Sequence, residues 1–280
     1  MDIKPGQVAV ITGAGSGIGR ALALACAARG MHVLAADIEQ SVADNTAAKV
    51  RELGAKALAM RVDVSQPDQV EAMAEQCWQH FGACDLLCNN AGVSLNKALA
   101  DCTASDWQWV LSVNTLAVGY ALSAFLPQMK KQSSAHIVNT ASMAGLIPLA
   151  NFGVYVASKY AVVGLSEVLA QELAEDNIGV SILCPGVVST RIFESERNRP
   201  DAATTHLVSS EDSENAMQTD FDSAYSRMLT ADKVAAMVLT AVADNRLYIA
   251  THPEWAPLFQ QRTGAIQKAF NSPLDTNTSS

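Results

Sequence analysis

Tyr155 and Lys159 stand four residues apart in YVASK, and Ser142 lies thirteen residues before the tyrosine. Residues four apart on a helix share a face, so the phenol and the ammonium can enter one cavity. A free tyrosine titrates near pH ~10, and a cation within ~4–6 Å favours its phenolate. A phenolate formed near neutral pH is a usable general base. Ser142 ends the apolar run AHIVNTAS and can hold a substrate oxygen while Tyr155 moves its proton. A lone Tyr-x-x-x-Lys also arises when the ring packs in the core and the lysine reaches for solvent. The chemical reading therefore needs company elsewhere in the chain.

TGAGSGIGR, with glycines at 13, 15, 17 and 19, follows the first apolar run. Such a turn brings backbone close to a pyrophosphate and aims the free amides of the next helix at its charge. The spacing is not G-x-G-x-x-G, because the third glycine would fall on Ile18 or Arg20. Eighteen residues past Gly19, the second run ends in Asp37, where a carboxylate accepts hydrogen bonds from ribose hydroxyls and repels a 2′-phosphate. Neither Ser16 nor Ile38 offers a cation to a phosphorylated ribose, so NAD is expected rather than NADP. The positive nicotinamide of the oxidised cofactor would favour the Tyr155 phenolate further.

These residues need a scaffold, and the chain's rhythm describes one. QVAVIT, MHVLAAD, AKALAMRVD, CDLLCNN, AHIVNTAS, GVSILCP and RLYIAT alternate with longer helix-patterned segments. That alternation predicts an α/β fold, a doubly wound Rossmann-type parallel sheet with helices on both faces, in which ligands meet the carboxyl ends of the strands. The expected organisation is one domain over residues 1–270, with residues 271–280 a disordered tail. Ser105 is the expected N-cap of the helix that carries Trp107 and Trp109, which face different ways, so at most one reaches the core.

The chain has 280 residues, and only 17% are charged, with a net charge of −9. Clustered cations for nucleic acid are lacking, and an anionic membrane surface would repel such a chain. The longest nearly apolar run, LAVGYALSAFL, is too short to span a bilayer, and a cytoplasmic location is expected. Six cysteines and five histidines show no metal-ligand spacing, so the thiols read as buried and reduced, and no metal is expected.

With TGAGSGIG at 12–19, Asp63 in RVDV, NNAG at 89–92, Asn114 in SVN, Ser142, YVASK at 155–159 and CPGVVST at 184–190, the chain resembles the short-chain dehydrogenase/reductase family over roughly residues 5 to 250. The resemblance implies that Asn114, Ser142, Tyr155 and Lys159 are catalytic, Asn114 completing a proton relay through water. It implies a cofactor site of Gly13, Ser16, Gly17, Ile18 and Gly19 at the pyrophosphate, with Asp37 and Ile38 at the adenosine ribose. Asp63 and Val64 would lie near the adenine, Asn90 beside the ribose, and Val188 and Thr190 at the carboxamide, with Pro185 and Gly186 also in the cofactor site. Tyr155 and Lys159 would also hold the nicotinamide ribose. It further implies a homodimer or homotetramer formed through two long helices.

The chain departs from many bacterial members in ending its last strand with LYIATHPEW rather than V-D-G-G, which is more like members acting on bulky aryl or lipid-like alcohols. From Glu194 to Asp222 it carries eight acidic residues against Arg197 and Arg199, a net charge of −6. This segment, about 191–225, is expected to be a substrate lid that disfavours anions. Leu95, Ser142, Met143, Leu149, Phe152, Tyr155 and Phe193 are expected to line a mainly apolar substrate pocket. The resulting reading is NAD-dependent interconversion of a secondary alcohol and a ketone. An NADPH-dependent carbonyl reductase and a non-catalytic NAD-binding regulator remain as alternatives, although both Tyr155 and Lys159 are present.

Overall fold

All seven apolar runs become strands in the computed structural model, which describes residues 1–200 and 227–271. They are β1 (Val8–Thr12), β2 (His32–Asp37), β3 (Ala57–Arg61), β4 (Leu86–Asn89), β5 (Ala135–Thr140), β6 (Ile178–Cys184) and β7 (Tyr248–Ala250). Every pairing is parallel, in the order β3-β2-β1-β4-β5-β6-β7. The order reverses between β1 and β4, and a crevice opens there at the strands' carboxyl ends.

A parallel sheet must be covered on both faces, and the period of two along each strand divides its side chains between them. Ala9, Ile11, Val33 and Ala35 pack with α1 (Gly17–Ala27) and a later helix, Ala231–Ala243. Val8, Val10, Leu34 and Ala36 pack instead with α3 (Pro67–Phe81) and α5 (Ala117–Met129). Between them in the chain lie α2 (Gln40–Glu52) and α4 (Ala104–Leu111); α6 (Gly153–Glu172) follows β5, Ala231–Ala243 is α7, and α8 is Ala256–Asn271.

Thr103, rather than the expected Ser105, caps α4: its hydroxyl accepts from the Asp106 amide, and the Asp106 side chain accepts from the Thr103 amide. Two such bonds satisfy orphan donors that Ser105, already inside the helix, cannot reach. Trp109 is buried and Trp107 exposed, as their two-residue spacing requires. The stretch Ala104–Met129 is not uniformly α-helical, because Ser112–Leu116 forms a π turn with Asn114 at its middle. Ala104–Met129 and Gly153–Glu172 are long and apolar enough by composition to cross a bilayer, unlike the shorter run apparent in the sequence. Here both lie against the sheet, through residues such as Phe125, Met129 and Leu169.

Inside β5, His136 is fully buried, with Nε2 2.9 Å from Ser181 Oγ. Ser181 Oγ donates its own proton to Arg246 O at 2.6 Å, so it must accept from His136, which assigns the proton to Nε2. Nδ1 has no partner among the described residues. Protonating it would bury an unpaired charge: burial, and then the chain's terminal ammonium, push the imidazole down to about 3. Between about pH 6.5 and pH 3 the unfolded chain therefore binds a proton that the folded one excludes, and stability falls with pH by up to ~1.4 kcal/mol per unit. His136→Gln should flatten the urea-unfolding free energy between pH 6.5 and 4.5 by up to ~2.7 kcal/mol. An unchanged slope would contradict this.

Candidate active site

The carboxyl ends of β1 to β6 surround a cavity of about 400 Å³. At one end the glycine turn leads into α1. Gly13 and Gly17 have φ of 64° and 49°, a region L side chains avoid. A Cβ on Gly19 would lie 2.1 Å from Gly13 O, so that turn closes only without side chains. Ser16 stands at the N-cap of α1 but makes no side-chain cap bond, which leaves amides at the helix start available to an anion. Gly13, Ser16, Gly17 and Ile18 line the cavity; buried Gly19 shapes the turn from behind.

Asp37 ends β2 at the same end. Its Oδ2 accepts from the Gly15 amide at 2.8 Å and its Oδ1 from the Glu39 amide at 3.1 Å, which fixes the carboxylate while leaving lone pairs for a ligand. Ile38, Asp63, Val64 and Asn90 complete this wall. Thr12 Oγ1 accepts from the amides of Asn90 and Ala91, each at 3.0 Å, and Asn90 Nδ2 donates to Thr12 O at 3.0 Å. After β6, Pro185, Gly186, Val188 and Thr190 form the opposite wall, and the Thr190 side chain lies where a Cβ on Gly17 would need to be. The glycine cradle, free helix amides and ribose-facing carboxylate fit a dinucleotide.

Ser142, Tyr155 and Lys159 meet at the other end. Ser142 Oγ accepts from the Ala144 amide at 3.1 Å, and Lys159 Nζ donates to Thr140 O at 2.9 Å. Nζ lies 5.7 Å from the centre of the Tyr155 ring. Burial raises the phenol above its ordinary range, while hydrogen bonding from Ser142 pulls it back; burial also pushes Lys159 down to about 8. The sequence reading expected the lysine to lower the tyrosine, but without cofactor charge desolvation outweighs that effect. Asn114 is buried beside this group rather than in the cavity wall: Oδ1 accepts from the Val93 amide at 2.8 Å, and Nδ2 donates to Val93 O and Ser158 Oγ, both at 2.9 Å.

Leu149, Phe152 and Phe193 line the cavity as expected for an apolar pocket. Leu95 and Met143 do not: Leu95 packs with Val93, Trp109, Val110 and Val154, and Met143 with Ile147, Val162 and Ile182. Both sit on the core side of loops whose other side chains reach the cavity. Of the expected lid, Ile192–Asn198 is a 3-10 helix that contributes Ile192, Phe193 and Arg197 to the wall or its edge, as does Arg191 just before it, while residues 201–225 lie outside the described residues.

Several wall residues carry no local signal in the sequence. Trp255 enters from the far end of the chain, within the unusual LYIATHPEW. Trp109 is covered by the Arg199 guanidinium, 5.2 Å from its ring centre. Arg199 in turn pairs with Asp106 at 2.7 Å, and Lys97 reaches the same carboxylate at 2.9 Å. Asp106 is 1% exposed. Burial alone would raise its carboxyl, but the Thr103 amide, Lys97 and Arg199 together hold it well below the usual range. One buried anion thus fastens the loop after β4, the start of α4 and the segment after β6.

A seven-stranded parallel sheet with a glycine turn, an acid after β2 and a Ser, Tyr, Lys cluster defines a dinucleotide-dependent oxidoreductase scaffold. The short chain dehydrogenase family profile matches residues 7–201, and the chain belongs to that family. It is 34% identical over 265 residues to a CLA biosynthesis dehydrogenase/reductase of Lactiplantibacillus plantarum, covering 93% of each chain. It is 37% identical over 189 residues to a cyclohexanol dehydrogenase of Acinetobacter sp. (strain SE19), covering 67% of this chain and 75% of that one. A short-chain dehydrogenase/reductase from Burkholderia phymatum, solved in complex with NAD, superposes with a TM-score of 0.89 at 39% identity over the full length of both chains.

Breaking a buried ion pair by removing one partner costs about 3 kcal/mol or more. Asp106→Asn should lower the urea-unfolding free energy by about 3 kcal/mol at pH 7. Because the folded carboxyl is held low, its contribution is present above the ordinary carboxylate range and fades as pH falls through and below it, so the deficit should shrink toward pH 3. A loss under about 1 kcal/mol at pH 7 would show that the pair adds no more than a surface contact.

Proposed function

We propose that this chain is a cytoplasmic NAD-dependent oxidoreductase of one domain over residues 1–270 that interconverts a secondary alcohol and a ketone of a bulky apolar or aryl substrate. The observation that carries the reading is the meeting of Ser142, Tyr155 and Lys159 with the glycine turn and Asp37 around one cavity. A nicotinamide held in this cleft would supply the hydride acceptor for oxidation and the hydride donor for reduction. Ser142 holds the substrate oxygen by hydrogen bond, and Tyr155 takes the hydroxyl proton in oxidation and returns it in reduction. Lys159, whose Nζ donates to Thr140 O, favours the phenolate and would hold the nicotinamide ribose. Asn114 fixes the Val93 segment beside Lys159 and joins a water-mediated proton path.

Trp109, Leu149, Phe152, Ile192, Phe193 and Trp255 give the substrate end an apolar, aromatic character, which supports an apolar alcohol or ketone. The described part of the expected lid, Ile192–Asn198, adds Ile192 and Phe193 to this apolar wall. Asp37 supports NAD, with oxidation as the direction in the cell. The exposed apolar residues Leu116 and Val168 on the π turn and α6 support a homodimer or homotetramer. A second reading, an NADPH-dependent carbonyl reductase, is favoured by two cations near Asp37: Arg61 Nε donates to Ile38 O at 3.3 Å, and Arg197 Nε lies 3.5 Å from Glu39 Oε1.

NADH formation against a panel of aryl, steroid, sugar and aliphatic alcohols tests the substrate class, and bulky neutral alcohols should lead it. With the best of them, Tyr155→Phe should cost on the order of 10²–10⁴ in kcat while leaving NAD binding largely intact; a variant keeping half its activity would overturn the assignment of the base. The oxidation rate should rise with pH as the phenol ionises, with an apparent pKa below that of a free tyrosine near ~10 in the cofactor complex. In the cofactor-free protein the same phenol should titrate above the ordinary tyrosine range.

A further inference from the structure

Arg197 belongs to the segment that leaves β6 on the substrate side, yet its guanidinium reaches the opposite lip of the cleft. That segment starts at Thr190, which presses on Gly17 in the glycine turn, and it lines the cavity through Arg191, Ile192, Phe193 and Arg197. Arg197 Nη1 donates to Glu194 O at 2.9 Å and to Arg191 O at 3.3 Å, so the side chain is oriented by its own 3-10 turn. Its Nε lies 3.5 Å from Glu39 Oε1. Glu39 is two residues past Asp37, and its amide donates to the Asp37 carboxylate at 3.1 Å. The pair therefore spans the cleft beside Asp37, the carboxylate that would hold an adenosine ribose.

We propose that Glu39 and Arg197 together are a specificity-determining pair for the cofactor: Glu39 occupies the guanidinium of Arg197, a cavity-lining cation that reaches this lip, and so withholds it from a 2′-phosphate. The proposal deepens the dinucleotide reading and rests on it. The pair is part-exposed, with Arg197 at 29% and Glu39 at 40%, so its direct contribution to stability is small. Its consequence is electrostatic and local. With Glu39 in place, an incoming phosphate dianion meets Asp37 and Glu39 and finds Arg197 already paired. Without Glu39, the same guanidinium, still held by the carbonyls of Arg191 and Glu194, faces the phosphate with free donors, the geometry in which charge-assisted bonds to phosphate are strongest. Two further cations lie near this lip: Arg61, whose Nε is held by Ile38 O and whose side chain is not part of the cavity wall, and Arg191, which lines the cavity and is engaged by Glu194 at 2.8 Å.

A double-mutant cycle on the full chain separates these contributions, read as NAD and NADP dissociation constants by protein fluorescence. Glu39→Gln should tighten NADP about tenfold, the worth of one charge-assisted hydrogen bond, and change NAD by less than about threefold. Glu39 makes no side-chain cap bond to α2, so this change removes no capping contact. Arg197→Met alone should leave NADP binding within about threefold, because the cation is already engaged. In the double variant the gain should vanish. A gain that survives Arg197→Met would overturn the proposal and point to simple loss of negative charge, to Arg61 or to Arg191; absence of any gain in Glu39→Gln would overturn it as well. Tighter binding of NADP than NAD by the unaltered protein would instead refute the NAD preference read from Asp37, while the cycle would still judge the pair.

Discussion

Thr12 stands where the strand order reverses, and the rest of the site depends on how it ties β1 to the chain after β4. Its hydroxyl receives the amides of Asn90 and Ala91, and Asn90 Nδ2 returns a bond to its carbonyl. These bonds satisfy backbone groups that leave the sheet in a buried setting, where an unpaired amide is costly. They also hold Gly13 so close to Ala91 that a Cβ would sit 3.0 Å from its Cα. The crevice exists because the chain leaving β1 and the chain leaving β4 turn to opposite faces of the sheet, and its floor is firm because these bonds close it.

From that floor the chemistry divides along the cleft. The end beside α1 offers backbone amides and a fixed carboxylate, a surface for phosphate and ribose. The other end offers a hydroxyl, a phenol and a buried ammonium over an apolar pocket. Burial works against both charged forms of the Tyr155 and Lys159 pair, raising one and lowering the other. Proton exchange near neutral pH then becomes sensitive to whatever charge enters beside them, which couples acid–base function to cofactor occupancy in the proposed mechanism.

The segment after β6 joins the two ends. Arg199 anchors it to buried Asp106 over Trp109, Ser195 accepts from the Ser94 amide at 3.1 Å, and Arg197 reaches Glu39. One short stretch thereby touches the loop after β4, helix α4 and the entrance to α2. A change at Asp106 would be felt in the substrate wall without touching a reacting atom.

The strands were legible from the alternation of apolar runs, and Tyr155, Lys159 and the glycine turn from local spacing, because helix periodicity and the backbone freedom of glycine act within a few residues. Local pattern misread the cap of α4, since Ser105 and Thr103 are equally good in isolation and only the reciprocal bond with Asp106 chooses between them. It also put Leu95 and Met143 in the pocket, because which side of a loop faces the cavity depends on packing from other elements. The partnership of Lys97, Asp106 and Arg199 and the reach of Arg197 to Glu39 had no sequence signal, and LYIATHPEW marked an unusual ending without placing Trp255 in the cavity wall. Those contacts join residues far apart in the chain, and such pairs acquire meaning only when folding brings them within a few ångströms and removes the water between them.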